Sequence, residues 1–120
     1  NFLDAVVVDA RAEGVVCELS AGPRWPIPGT SSPVGVQVRV MTRPESLRLV
    51  RADDAGPDAL RGRILERRFA GGFTYYRVSV ASGRELLVAV TGRPIVDDAG
   101  EVGVELLPDG TARAFPATEP

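Results

Sequence analysis

Residues 34–50, reading VGVQVRVMTRPESLRLV, carry the pattern that limits this fold most. Val36, Val38 and Val40 alternate with Gln37 and Arg39, the period-two signature of a strand with one buried face. Pro44 has no N–H to give a ladder and ends the run. Alternation then resumes, with Leu47 and Leu49 expected inward and Arg48 and Arg51 outward. Arg43-Pro44-Glu45 therefore reads as a charged corner between two short strands.

The rest of the chain repeats this logic. Residues 2–8 are rich in valine and read as a strand. A turn at 10–14 and a return over 15–19 make a hairpin with it. Thr74 to Val80 alternates cleanly, with Tyr76, Val78 and Val80 together. Leu86, Val88 and Val90 share one face after a turn at Ser82-Gly83. Val102, Val104 and Leu106 alternate against Gly103 and Glu105. Residues 52–57 read as an acidic linker and 92–100 as a loop. Pro108-Asp109-Gly110 reads as a turn, and the chain is expected to trail off from Phe115 to Pro120. Residues 21–33 hold prolines at 23, 26, 28 and 33, so this stretch is expected to be a loop without regular structure. Trp25 within it either lids a barrel or contacts a partner. No segment of useful length has a helical period.

Short strands with turn signals between them predict an all-β, OB-like small barrel or sandwich. A hairpin, a loop and a valine-rich strand ending at Pro44-Glu45 recur as a hairpin, a loop and a valine-rich strand ending at Pro108-Asp109. Two related halves, 1–52 and 58–116, are each too small for a secure core alone and are expected to pack together or interleave strands in one unit.

What is missing excludes chemistry. The 120 residues contain no histidine, the commonest general base and metal ligand. The single cysteine, Cys17, allows neither an intrachain disulfide nor a thiolate metal cage, and its strand-like surroundings predict a small buried residue. This usage suits a reducing compartment. All 14 basic residues are arginine, so the lysine of a phosphate-cradling P-loop is absent and no ATP hydrolysis is expected of these residues. Asp53-Asp54 and Asp97-Asp98 read as solvated turn residues, not metal ligands. With a net charge of −2, the arginines at 61, 63, 67 and 68 beside Phe69, Phe73, Tyr75 and Tyr76 do not make the basic footprint of a nucleic-acid binder. No run is long and apolar enough to span a bilayer.

Several short motifs, taken in order, resemble one family. Asn1-Phe2-Leu3 looks like the opening of the region that follows the nucleotide-binding domain in ATP-binding subunits of bacterial ABC importers. Val40 to Leu47 resembles that family's apolar strand followed by Arg-Pro-Glu. Leu60 to Ile64, Phe69 to Val78 and Gly83 to Val88 look like its TOBE segment, closest to the polyamine, ferric-iron and sugar importer group. Met41-Thr42 and Ala70 depart from the pattern, and the proline-rich stretch around Trp25 has no counterpart in it.

The resemblance implies an OB-like regulatory and dimer-supporting region cut from a longer polypeptide. It would pair with a second copy of the ATP-binding subunit and reach permease subunits through an ATPase domain at the inner face of the plasma membrane. ATP and Mg would belong to that ATPase domain, with no cofactor or metal held here. A small-molecule or protein regulator is a further implied partner. Candidate contacts are Arg43, Glu45, Trp25, Phe69, Phe73 and Tyr75. The competing expectation is a module for a small oxyanion or metabolite, held by arginines near a glycine-rich turn or at the Arg43 corner.

Overall fold

The computed structural model describes residues 1–20, 22–81, 83–91, 100–108 and 110–117. Ser82, Asp109, residues 92–99 of the loop expected at 92–100, with Asp97 and Asp98, and residues 118–120 of the expected tail lie outside them. Strands dominate, as the alternating patterns require, and no α-helix occurs among the described residues.

The first five strands are β1 (Phe2–Arg11), β2 (Gly14–Leu19), β3 (Arg24–Pro28), β4 (Gln37–Thr42) and β5 (Leu47–Arg51). The second five are β6 (Leu60–Ala70), β7 (Phe73–Val80), β8 (Glu85–Thr91), β9 (Glu101–Leu106) and β10 (Ala112–Pro116). They form two five-stranded antiparallel sheets, ordered β10-β4-β1-β2-β3 and β5-β9-β6-β7-β8. Each sheet holds four consecutive strands of one half and the fifth strand of the other. Arg43-Pro44-Glu45 is where the chain leaves one sheet for the other, through a 3-10 turn over Pro44–Ser46.

The repetition extends to register. Leu3 faces Val40 and Ala5 faces Val38 in the first sheet, as Leu60 faces Val104 and Gly62 faces Val102 in the second. Cys17 lies opposite Trp25 where Val78 lies opposite Leu86. Both leading hairpins carry a bulge at the same place, between Val7 and Asp9 and between Ile64 and Glu66. The second bulge leaves Leu65 half exposed, because the extra residue falls out of phase with the buried face. Strand order and register thus repeat between the first five strands and the second five, and each set lends its fifth strand to the other sheet.

Inward residues of both sheets merge into one core, including Val7, Val38, Val40, Leu60, Tyr76 and Val104. Gly62 is needed within it. A Cβ there would stand 2.7 Å from the Ser79 carbonyl oxygen and 2.7 Å from Val78 Cγ1. Its counterpart Ala5 has room for that atom.

Two expectations fail. The proline-rich stretch is not irregular throughout: β3 forms inside it, with Trp25 and Ile27 buried and Pro26 and Pro28 outward. Those prolines sit on the free edge of an edge strand, where a missing N–H breaks no ladder and blocks further pairing. The C-terminal part does not trail off at Phe115 either. Residues 112–116 pair with β4, and Ala112 is buried.

Candidate functional site

The corner read from the sequence is one of two that pack on each other. Ser46 N–H donates to the Arg43 carbonyl at 3.0 Å, and Gly110 N–H donates to the Leu107 carbonyl at 2.8 Å. The two turns are joined by Leu107 N–H to the Ser46 carbonyl at 2.9 Å and Thr111 N–H to Ser46 Oγ at 3.0 Å. Gly110 must lack a side chain, since a Cβ would lie 2.7 Å from the Ser46 carbonyl oxygen. Arg43 and Glu45 are both exposed, and no ion pair between them occurs among the described residues. The corner thus owes its shape to backbone bonds and Ser46.

Asn1 performs a joining role that composition and period do not reveal. Its side-chain amide donates to the Leu87 carbonyl at 2.7 Å and accepts from Leu87 N–H at 2.8 Å. Its backbone carbonyl accepts from Thr42 N–H at 3.0 Å. One residue therefore ties the start of the first sheet to β8 of the second.

Trp25 is 1% exposed, so it faces the interior and not a partner. Its indole N–H donates to the Asp58 carbonyl at 2.7 Å, clamping the linker between the halves. Around it opens a cleft of about 400 Å³ walled by Trp25, Pro26, Pro28, Pro57 and Pro108, with Asp58 and Glu105 in its lining. Glu105 is held by Arg48 at 2.8 Å and accepts from Gly56 N–H at 3.3 Å.

Phe73 and Tyr75 share one face at the end of the β6–β7 hairpin, and Phe69 stands on the other face, opposite Thr74. Phe69 is 67% exposed and Phe73 39%. The Phe73 and Tyr75 rings lie 6.1 Å apart, and the Arg67 and Arg68 guanidiniums lie 5.1 Å and 6.0 Å from the Phe69 and Tyr75 ring centroids. Gly71, with φ of 66°, makes the tight turn between the strands. Further down the hairpin, Arg77 pairs with Glu85 at 2.9 Å and Glu66 at 3.3 Å, and the hydrogen bond to Glu85 foremost raises its pKa.

A third region was not foreseen. The edge strands β3 and β10 of the first sheet approach one another and leave a cleft of about 710 Å³, lined in part by Thr30, Ser31, Ser32, Thr111, Arg113 and Phe115. Arg113 makes no ion pair among the described residues. A further cleft of about 480 Å³ has Asp4 and Glu18 in its lining. Of the three, only the β3–β10 cleft has no carboxylate among its described lining residues. The Thr30-Ser31-Ser32 run was its signal in the sequence, hidden within a stretch read only for its prolines.

Burial pushes the Cys17 thiol up from its ordinary range, and the residue is fully enclosed. Among the described residues no three side chains of metal-binding type gather in one place, and no helix is long and apolar enough to cross a membrane.

A family model described as TOBE domain matches residues 40–112. No curated protein matches the chain. Among solved structures, the cytoplasmic molybdate-binding protein ModG, in a form with molybdate bound, aligns with a TM-score of 0.75 at 10% identity. The alignment covers 93% of this chain and 94% of that one, a likeness that shows the fold.

Proposed function

The chain belongs to the TOBE domain family, and from that premise we propose that it is a binding module for a small tetrahedral oxyanion such as molybdate or sulfate. The observation that carries the reading is the β3–β10 cleft. Thr30, Ser31, Ser32, Thr111 and Arg113 are among the residues that line it, and its described lining has no carboxylate to repel an anion. Hydroxyl and backbone donors backed by an arginine are the groups that replace an oxyanion's hydration shell. The shared fold with a molybdate-binding protein is consistent with this use. Nothing in the reading requires a catalytic step: the module binds and releases.

Calorimetry against molybdate, sulfate and phosphate tests it. Binding of at least one is expected, weakened on the order of tenfold or more by Arg113→Gln through loss of a charged hydrogen bond. No heat and no thermal shift with any of the three anions overturns the proposal.

A second reading places the module after the ATPase domain of an ABC-importer ATP-binding subunit. It is favoured by where the resembling motifs fall. Asn1 ties the sheets together, and the Arg43-Pro44-Glu45 corner carries the chain between them. Here the module supports pairing of two ATP-binding subunits at the cytoplasmic face of the membrane, and ATP and Mg are bound elsewhere in the polypeptide. The upstream coding sequence decides it: an ATPase domain with a phosphate loop is expected, and any other preceding domain removes this reading.

A further inference from the structure

The β6–β7 hairpin ends in a tip that is apolar on both of its faces. Phe69 pairs with Thr74 and Ala70 with Phe73, so the two exposed phenylalanines project from opposite sides of the ribbon. Each side also carries one arginine against a ring. Arg67 lies over Phe69 on one side and Arg68 over Tyr75 on the other. From Arg67 to Arg84 the sequence has no acidic residue, and Glu66, just before it, is paired with Arg77. Arg68 makes no ion pair among the described residues. A protein surface meets one side of such a ribbon and leaves the other ring in water. A lipid interface surrounds whatever enters it and takes both rings out of water.

We propose that this tip enters the headgroup layer of an anionic lipid bilayer, with Phe69 and Phe73 at the acyl boundary and Arg67 and Arg68 among the phosphates. The order of residues suits that depth. The Phe69–Thr74 and Ala70–Phe73 pairs carry the tip about 7 Å past the Arg68–Tyr75 pair at about 3.3 Å per residue. Interfacial segments bury their apolar side by about 5–10 Å. The turn at Gly71-Gly72 takes no charge down with it. The arginines stand one or two residues behind the rings, where long cationic side chains reach back to the headgroups. The whole chain has a net charge of −2, so the attraction is local to the tip, orients the molecule tip-first and is screened by salt. Two rings make a modest anchor, so the contact is weak and reversible. The matching β1–β2 hairpin has neither ring and carries Glu13 in its turn, so the core does not require the phenylalanines. The inference rests on neither functional reading above, and its residues lie outside the β3–β10 cleft.

Co-sedimentation of the whole chain with vesicles of phosphatidylcholine, with and without phosphatidylserine, tests the proposal. Binding is expected to the serine-containing vesicles at low salt and to fall as salt is added. Phe69→Ser and Phe73→Ser should each weaken it on the order of fivefold through lost apolar burial. Arg68→Gln should weaken it by a similar factor. Phe69→Trp and Phe73→Trp give a second readout that does not depend on loss of binding. Each should shift its emission to the blue when vesicles are added, whereas the parent chain, whose only tryptophan is the buried Trp25, should not. Soluble glycerophosphoserine should displace nothing. Four results overturn the proposal: no binding to anionic vesicles at low salt, full binding in both serine variants, a blue shift from only one of the two introduced tryptophans, or displacement by the soluble headgroup.

Discussion

The leading hairpins of the two halves share a bulge and a register, and then they part. β1 and β2 stop at the Arg11–Gly14 pair. β6 and β7 pass the equivalent Arg68–Tyr75 pair and add Phe69–Thr74 and Ala70–Phe73, and β8 runs on with them through Val90 and Thr91. Up to the bulges, Leu3, Ala5 and Val7 in the first hairpin and Leu60 and Ile64 in the second are buried. Beyond the Arg68–Tyr75 pair, Thr74 is buried while Phe69 and Phe73 stand in solvent. The comparison separates what the fold needs from what the surface has acquired. It also shows where the halves diverge inside the core: Trp25 holds the linker at a position where the other half has Leu86.

That contrast predicts unequal responses to matched substitutions. Trp25→Ala should cost about 3–5 kcal/mol in denaturant unfolding, from lost burial and the cavity left behind. Leu86→Ala should cost less, because no hydrogen bond to the linker goes with it; the reverse order would break the equivalence drawn here. Gly62→Ala should destabilise by about 1–3 kcal/mol through overpacking against Ser79 and Val78. Ala5→Gly should cost about 1 kcal/mol, for the opposite reason of added backbone freedom.

Asn1→Ala removes both amide bonds to Leu87 and is expected to lower stability by about 1–2 kcal/mol in thermal melts. Cys17 offers a sharper probe, since its counterpart is Val78. Its folded pKa is raised by burial, so the native state keeps a proton that the unfolded chain releases. Stability should therefore be unaffected below the ordinary thiol value and fall as pH rises past it, by up to about 1.4 kcal/mol per pH unit. Cys17→Val should abolish that slope in unfolding curves taken at alkaline pH. The smallest effect is expected from replacing 69–74 with Ala-Glu, which gives the second hairpin the length of the first. It should change stability by no more than about 1 kcal/mol. A larger loss would mean that the extension belongs to the core after all.

Much of the fold was legible in the sequence because its strands are amphipathic. Val36 to Val40 and Tyr76 to Val80 alternate so regularly that their inward faces follow from the pleat alone. β3 was not legible, because Pro26 and Pro28 are breakers everywhere except at a free sheet edge, and no local pattern says where an edge lies. β10 was missed because Ala112 and Ala114 are too small to mark a buried face. The exchange of fifth strands is a long-range pairing that no window of residues encodes.

Of the candidate contacts, Phe73 and Tyr75 lie together while Phe69 is on the other face of the hairpin, and Arg43 and Glu45 are exposed at the corner. Trp25 stood out as the single tryptophan, yet its role is internal. Arg113 and the hydroxyls of residues 30–32 gave only a weak signal, because neutral donors gain meaning only when a cleft brings them together.

The crossing of β5 and β10 has a consequence for how the molecule can be divided. Cleaved in the linker at residues 52–59, each fragment would own four strands of a sheet and a fifth whose neighbours reside in the other piece. Neither fragment can complete its own hydrogen bonding in this arrangement, whereas the two together can. The linker acts less as a hinge than as a tether on a mutual embrace, and separately expressed fragments should find each other without it.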